Sequence, residues 1–537
     1  VDTPWAVGRI LAPTGEEAAE FDARAIDLFG TPESALMERA GSQAATWIHS
    51  CLPHLRGART LVLAGSGNNG GDALILARCL SLWGWPLRVL HTGGDQADRS
   101  LLRGHPIDEL KVADLSSPEL AQILAEPELV VDGMLGTGAQ GAPRGAVLQV
   151  IERLQSRIQL RSAASPAPVI VALDVPSGVD AASGATEGSA VRADVTLAFG
   201  WPKLGTLLHP GRARAGRLVA VEIGFPPPDP PFEFSVLTTG VVAPNLPRRE
   251  AVTHKKQVGS LLVVAGSEGM AGAAILAGRA ALRSGTGYLR IASAEANRSA
   301  VQAALPEAIW VDREDAAALA GALEASDAVA AGPGMGTDSG AAVALRRVLD
   351  GAPIPLVLDA DALTLLRGGG SGEGSDHVEL PTDRSIVLTP HPGEAGRLLG
   401  VPTSEIEADR RAALSRLRDR TGAVILLKGT PSLIAGTGRW LDPHGSSDLA
   451  AAGMGDVLTG VVGSLMAQRV DGEGAAGLAL VLTGLAAQRA GMGAGLQSED
   501  IPDHLPAVMA DESGTPGLPS AVPPALPWVT FDLPAAR

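Results

Sequence analysis

The sequence predicts an α/β protein of two domains, each built on a mostly parallel sheet, and three observations carry that expectation. Short apolar runs alternate with helical patterns over most of the chain. The runs are continuously apolar rather than alternating, as strands covered by helices on both faces should be. One proline-rich segment, "PPPDPP" at 226–231, breaks the series and cannot continue regular structure. At 537 residues the chain is long enough for two full cores.

Ahead of the break the strand candidates are "TLVLAGSG", "PLRVLHTGG", "LVVDGMLGTG", "VIVALDVPSG", "VTLAFGWPK" and "LVAVEIG". Behind it come "SLLVVAGSEG", "YLRIAS", "AVAAGPGMG", "PLVLDADAL", "SIVLTPHPGE" and "AVILLKGTPS". Amphipathic segments such as "DALILARCLSLWG" and "GAAILAGRAALRSG" lie between them, each closing on glycine. Hydrophobic residues make up 45% of the chain and aromatics 3%, so the cores must rest on Ala, Val, Leu and Ile. "RGGGSGEGSDH" (367–377) reads as a surface loop, because strand patterning resumes directly behind it. The tail, residues 513–537, is proline-rich and is expected to be disordered. No short-period repeat is present.

The net charge of −16 argues against nucleic acid or an anionic membrane as a partner. It leaves anionic small molecules open, since amides at helix N-termini hold phosphate without surplus basic residues. No apolar run reaches the length of a membrane span, and "VDTPWAVGRILAPTGEE" lacks the order of a signal peptide. Cys51 and Cys79 lie in apolar helical patterns without disulfide or metal spacing, and buried reduced thiols are expected. The expected setting is the cytoplasm; the expected partners are small-molecule substrates and further copies of the chain.

The chemistry-bearing motifs sit behind the strand runs, at the edge where open parallel sheets bind ligands. In "AGSGNNGGDALILARCL" (64–80), Gly65, Gly67 and Gly70 satisfy G-x-G-x-x-G between a strand and a helix. The acid that a dinucleotide fingerprint carries behind the next strand is missing, since that strand runs into His91 and Thr92. A dinucleotide loop and a structural glycine turn both stay open on this motif alone. Asn68, Asn69, Asp132 and Ser177 offer oxygen without sulfur or imidazole, a set suited to a hard cation. "GTGAQGA" (136–142) supplies backbone N–H groups for a phosphate. Asp174 closes the apolar "VIVALD", where desolvation is expected to raise its carboxyl toward acid–base use.

Behind the break, "AAAGMGDVLTG" (450–460) places Gly453 and Gly455 ahead of Asp456 at the start of an apolar helix. Amides there suit a transferring phosphoryl group, and the aspartate can take a proton from the attacking hydroxyl. By itself the motif is more simply a glycine turn capped by aspartate. Its companions "GPGMG" (332–336), "TPHPGE" (389–394) and "LKGTPS" (427–432) give it weight. His391, held between two prolines ahead of Glu394, reads as a substrate contact. Lys428, at a strand end beside a glycine, reads as a nucleotide-phosphate contact rather than a snorkelling surface lysine. Asp359 and Asp361 in "LDADAL" read equally as a metal pair or as strand-end polar residues.

Over residues 10–225 the series "LMERAG", "GSGNNGGD", "VVDGMLGTG", "LDVPSGVDAASG", "WPKLG" and "HPGRARAGRL" resembles the NAD(P)H-hydrate epimerase domain. The resemblance implies a Rossmann-like three-layer fold, a bound potassium ion, and interconversion of the R and S epimers at C6 of hydrated NADH and NADPH. By position it makes Asn69, Asp132 and Ser177 the potassium ligands and Asp174 the catalytic contact with the reacting end. Asn68, Asn69, Gly70, Gly71 and Asp72 would hold the substrate together with Gly136, Thr137, Gly138, Ala139, Gln140, Gly141 and Ala142. Arg39 and Ala73 depart from the family pattern, and the Ala73 Cβ is expected beside the substrate loop.

Over residues 235–510 the series "GSLLVVAGS", "GMAGAAILAGRAALRSGTGYLRIAS", "GPGMG", "LDADAL", "TPHPGE", "LKG" and "AAGMGDVLTG" resembles the ADP- or ATP-dependent NAD(P)H-hydrate dehydratase, of ribokinase-like fold. It implies that Ala273, Gly334, His391 and Asp456 touch the hydrate, with Asp456 as the catalytic base. Lys428, Gly429, Thr430, Pro431, Ser432 and Gly455 would hold the nucleotide, with ADP as phosphoryl donor and Mg2+ required. Phosphorylating the C6 hydroxyl turns a poor leaving group into a good one, and eliminating phosphate restores the nicotinamide double bond; AMP and phosphate are released. Two readings compete: a ribokinase-like small-molecule kinase, and a dehydratase whose epimerase-like module only binds.

Overall fold

The computed structural model describes residues 9–93, 99–159, 167–226, 228, 232–247, 258–368, 380–512 and 528–533. Most of the "PPPDPP" and "RGGGSGEGSDH" segments lie outside the described residues. The chain divides into two compact units between Phe234 and Ser235, with the C-terminal strand belonging to the first.

After a short strand, β1 (Arg9–Ala12), the first unit carries β2 (Thr60–Ala64), β3 (Leu87–His91), β4 (Asp108–Lys111), β5 (Leu129–Gly133), β6 (Val169–Leu173), β7 (Val195–Phe199) and β8 (Arg217–Val221). Their order is β8-β7-β6-β5-β2-β3-β4, all parallel. Both faces are buried, as continuous apolarity requires. Val62, Val131 and Val171 pack with Ala40, Trp47 and Leu76 on one side. Leu61, Val130 and Ile170 pack with Leu120, Ile151 and Leu154 on the other. The result is a three-layer unit. Helix Gly15–Asp27 starts from a capping box between Thr14 and Glu17. Its Phe21 sits edge-on to Trp201, Phe225 and Phe232, which fixes the helix beside the carboxyl edge of the sheet.

The second unit carries β9 (Phe234–Leu237), β10 (Ser260–Val264), β11 (Tyr288–Ser293), β12 (Ile309–Asp312), β13 (Ala328–Ala331), β14 (Leu356–Leu358), β15 (Ile386–Leu388), β16 (Val424–Leu427), β17 (Ser432–Ala435) and β18 (Arg439–Asp442). They run β9-β18-β17-β16-β15-β14-β13-β10-β11-β12. Pairing is parallel from β12 through β16 and turns antiparallel at β17 and β18. Helix Met454–Ala467 is buried from Val457 to its end and packs on helix Ala271–Arg283, where Gly460 meets the Ala277 carbonyl with no room for a Cβ.

Three expectations change. The tail is not disordered throughout: β19 (Trp528–Leu533) pairs antiparallel with β8, because an edge strand leaves backbone groups that a further strand can satisfy. Residues 513–527 lie outside the described set. Cys51 is exposed and Cys79 only partly buried; Cys51 is the last residue of its helix, past the end of the apolar stripe. Strands β1, β4, β9, β12, β17 and β18 went unread, each only four residues long and, in β4 and β18, not an apolar run. Among the described residues no helix is long and apolar enough to cross a membrane.

Within "GSGNNGGD" the three spaced glycines differ physically. A Cβ at Gly65 would overlap the Met134 carbonyl, and one at Gly70 the Gly65 carbonyl, whereas nothing lies within 4 Å of one at Gly67. Gly65→Ala should therefore destabilise the first unit by about 3 kcal/mol, while Gly67→Ala stays within about 0.5 kcal/mol of the parent. Denaturant unfolding of both variants checks this; equal losses would contradict it.

Candidate active sites

In the first unit a cavity of about 630 Å³ opens at the carboxyl edge of the sheet. Asn68, Asn69, Asp72, Gly136, Thr137, Gly138, Ala139 and Asp174 line it, together with Asp22, Glu33, Met37, Phe199, Lys203 and Phe225. Gly70, Gly71, Gln140, Gly141 and Ala142 stand outside the lining. Gly70 is packed on Gly65, and Gly71 on the Met37 sulfur. Ala73 corrects an expectation: it is fully buried, its Cβ faces Gly133 in the core, and it does not reach the cavity. Arg39 pairs with Glu222 at 2.7 Å on the surface.

Asp174 is buried at the end of β6 in the left-handed region, at φ 63°. It is not the isolated carboxyl that its apolar run suggests. Oδ1 accepts from the Lys203 ammonium and from the Phe199 amide at 3.1 Å. Parallel pairing of β6 with β7 makes this contact possible, since Lys203 lies four residues beyond the end of β7. Burial pushes the Asp72 carboxyl well above its usual range, with Asp174 adding to the effect and Lys203 opposing it. Burial likewise pushes Asp22 up to about 6, against Lys203 and with Asp174 and Glu33.

Asn69 is linked to the Asp132–Ser177 pair through the backbone of Leu135. Asn69 donates through Nδ2 to the carbonyls of Leu135 (2.7 Å) and Leu173 (3.0 Å), and these two bonds fix the amide orientation. Its Oδ1 is buried with no hydrogen-bond partner. Asp132 is fully buried and accepts from the Ser177 hydroxyl at 2.6 Å and the Ser177 amide at 2.9 Å. The Ser177 Oγ in turn accepts from the Leu135 amide at 2.9 Å. An orphaned buried amide oxygen, a buried carboxylate and a buried hydroxyl are oxygen donors of the kind that a cation would satisfy. Among the described residues no group of three or more His, Cys, Asp or Glu is placed to hold a metal.

In the second unit Lys428, at the end of β16, donates to Asp359 Oδ1 at 2.6 Å and lies 3.8 Å from Glu394. Thr459 donates to the other Asp359 oxygen at 2.7 Å. Burial opposes charge on Lys428, but Asp359 and Glu394 outweigh it and hold the ammonium above its usual pKa. Asp456 lies in the first turn of helix Met454–Ala467, behind the left-handed Gly453. Burial, then Asp359, pushes its carboxyl up to about 7, against Lys428. A carboxyl poised there can take and return a proton near neutral pH.

His391 caps helix Pro392–Leu399, its Nδ1 accepting from the Gly393 amide at 2.9 Å. Burial, then Lys428, lowers its pKa, so the neutral ring carries its proton on Nε2. Asp361 accepts from the Gly336 amide at 2.8 Å, and with Asp359 held by Lys428 and Thr459 the two are not a free metal pair. Ala273 packs its Cβ against Gly334. A neighbouring cavity of about 250 Å³ is lined by Lys428, Gly429, Thr430, Ser432 and Gly455 and by the apolar Leu449, Met454, Leu458 and Leu480. Pro431 stands outside that lining, its carbonyl accepting from Arg410 at 2.7 Å.

Reasoning from sequence missed Lys203, Asp22 and Thr459. Lys203 stands in the quoted "WPKLG", four residues behind β7, and a lysine at a strand end was the signal that pointed to Lys428. Asp22, on an ordinary amphipathic helix, carries no such signal.

Two family models match the chain: one described as YjeF-related protein N-terminus, over residues 33–205, and one described as NAD(P)H-hydrate dehydratase, over residues 261–507. The chain is 37% identical over 530 residues to the bifunctional NAD(P)H-hydrate repair enzyme of Salinibacter ruber, covering 92% of this chain and 95% of that protein. The enzyme of the same name from Escherichia coli is 34% identical, with 86% of each chain covered. Among solved structures, the ADP/ATP-dependent NAD(P)H-hydrate dehydratase of Bacillus subtilis is 32% identical at a TM-score of 0.46, covering 51% of this chain and 97% of that one. The chain belongs to the family of bifunctional NAD(P)H-hydrate repair enzymes.

Proposed function

We propose that this chain restores hydrated NADH and NADPH by two reactions, epimerisation at C6 in the first unit and ADP-dependent dehydration of the S hydrate in the second. The observation that carries the reading is the Lys428–Asp359 pair next to Asp456, beside a cavity lined by both polar and apolar residues. Its Lys428, Gly429, Thr430, Ser432 and Gly455 suit phosphates, and its Leu449, Met454, Leu458 and Leu480 suit a purine. Asp456 takes the proton of the C6 hydroxyl as that oxygen attacks the terminal phosphoryl group. The phosphate then leaves with the C6–O bond, the C5 proton is lost, and the ring double bond returns. His391, Gly334 and Ala273 hold the hydrate. Mg2+ travels with the nucleotide phosphates, whose charge it offsets.

In the first unit Asn69 Oδ1, Asp132 and Ser177 suit a potassium ion. One buried carboxylate among neutral oxygens is little charge for a divalent ion that keeps its water. When bound, the ion supplies positive charge that balances Asp132 and satisfies the Asn69 oxygen. Asp174, held by Lys203, faces the reacting end of the substrate. Nothing in the lining supports a merely binding module, since Ala73 leaves the cavity clear.

A mixture of both hydrate epimers with ADP and Mg2+, followed by NADH absorbance, tests the reading. Conversion should run to completion faster than the R epimer isomerises unaided. Stopping near the S fraction would leave only the dehydratase, and no recovery of NADH would overturn the whole. Epimerisation of the R hydrate, assayed alone by chromatography, should rise with potassium and survive a divalent chelator. Chelator sensitivity without a potassium response would contradict the cation assignment.

A further inference from the structure

We infer that Asp72 is a catalytic residue of the epimerase reaction, acting as the general acid at the ring nitrogen while Asp174 takes the proton of the C6 hydroxyl. The inference rests on the epimerase reading above and adds a role to a residue expected there only to bind. Asp72 lines the cavity from helix Asn68–Leu82 and is about 8% exposed, yet its side chain has no hydrogen-bond partner among the described residues. With no donor from the protein beside it, burial favours the protonated form of the Asp72 carboxyl. Asp174 differs in kind: it accepts hydrogen bonds from Lys203 and the Phe199 amide, donors that Asp72 lacks. Two carboxyls in one cavity, one held by an ammonium and an amide and one without a protein donor, are suited to serve as a base and an acid.

The groups that act on Asp72 electrostatically are Asp174, Lys203 and Asp22. Asp22 lines the same cavity with more of its surface open to solvent than Asp72, and Glu33 adds to its raised pKa. Asp72 is thus the more enclosed of the two raised carboxyls.

Opening the hydrated ring uses both roles without an added reactant. Asp174 takes the proton of the C6 hydroxyl, and the oxygen electron pair forms the C6 carbonyl. The N1–C6 bond breaks, its electron pair stays on N1, and N1 takes the proton of Asp72. Rotation about C5–C6 presents the opposite face of the carbonyl. N1 then attacks C6, its proton returns to Asp72, and Asp174 returns its own to the oxygen. Nothing is oxidised or reduced, and one unit of charge has passed between two carboxyls that both interact with Lys203.

Asp72→Asn in the full chain tests this, with R hydrate alone as substrate and S hydrate measured by chromatography. We expect epimerisation kcat to fall about a hundredfold or more with KM little changed, and Asp72→Glu to restore part of it. Dehydration of S hydrate with ADP should match the parent. The acid must be protonated to act, so parental epimerisation should decline as pH rises, and the residual rate of Asp72→Asn should lack that limb. A carboxyl whose pKa is higher in the folded than in the unfolded state costs stability as pH climbs between the two values. Asparagine removes that cost, so the variant should melt no earlier than the parent. Near-parental epimerisation, a retained alkaline limb, or early melting in both variants would overturn the assignment. A parental chain that leaves R hydrate untouched would overturn the epimerase reading itself.

Discussion

A buried lysine–aspartate pair at the carboxyl edge of a parallel sheet organises each unit. In the first it is Lys203 with Asp174, in the second Lys428 with Asp359. Each pair joins the ends of two strands, and each leaves further carboxyls nearby that its single positive charge cannot neutralise. Those carboxyls, Asp72 and Asp22 in one unit and Asp456 and Glu394 in the other, are all pushed upward, with burial the largest cause in every case. Removing one partner of such a pair strands a buried charge at a cost of about 3–5 kcal/mol, so the lysines hold structure as well as charge.

The sheets decide which residues share a site. Asp174 and Lys203 are 29 positions apart in sequence, yet adjacent strands β6 and β7 end side by side and bring them into contact. Asp359 and Lys428 are 69 apart, carried by β14 and β16 with β15 between them. Thr459, from the helix behind Gly453, closes the second site by binding the remaining Asp359 oxygen. Proton chemistry thus sits on rigid strand ends, with glycine-rich turns shaping the neighbouring cavities.

Much of this was legible because the strand runs are apolar on both faces and the motifs follow them directly. Asn69, Asp132 and Ser177 were readable as an oxygen set, and hydrogen bonds through Leu135 link them, though the orphaned Asn69 oxygen needed coordinates to be seen. Lys203 was not legible as the partner of Asp174, because that contact depends on strand order rather than spacing. The misplaced Ala73 has the same origin: one residue beyond Asp72, a helix turns by about 100° and faces the core instead of the ligand. The strand at Trp528–Leu533 was hidden by its proline-rich approach, which reads as disorder until the open edge of β8 is known.

If burial and one shared lysine set the proton chemistry, Asp456 must titrate in the working range. The most direct test is the pH dependence of the single-turnover rate of ADP-dependent dehydration of S hydrate. Asp456 acts as a base, so the rate should rise as pH climbs through about 7, where its carboxyl loses its proton, and then level off. That limb should vanish in Asp456→Asn. A rate that is flat or falling across the same range, or a rising limb that survives the substitution, would contradict the account.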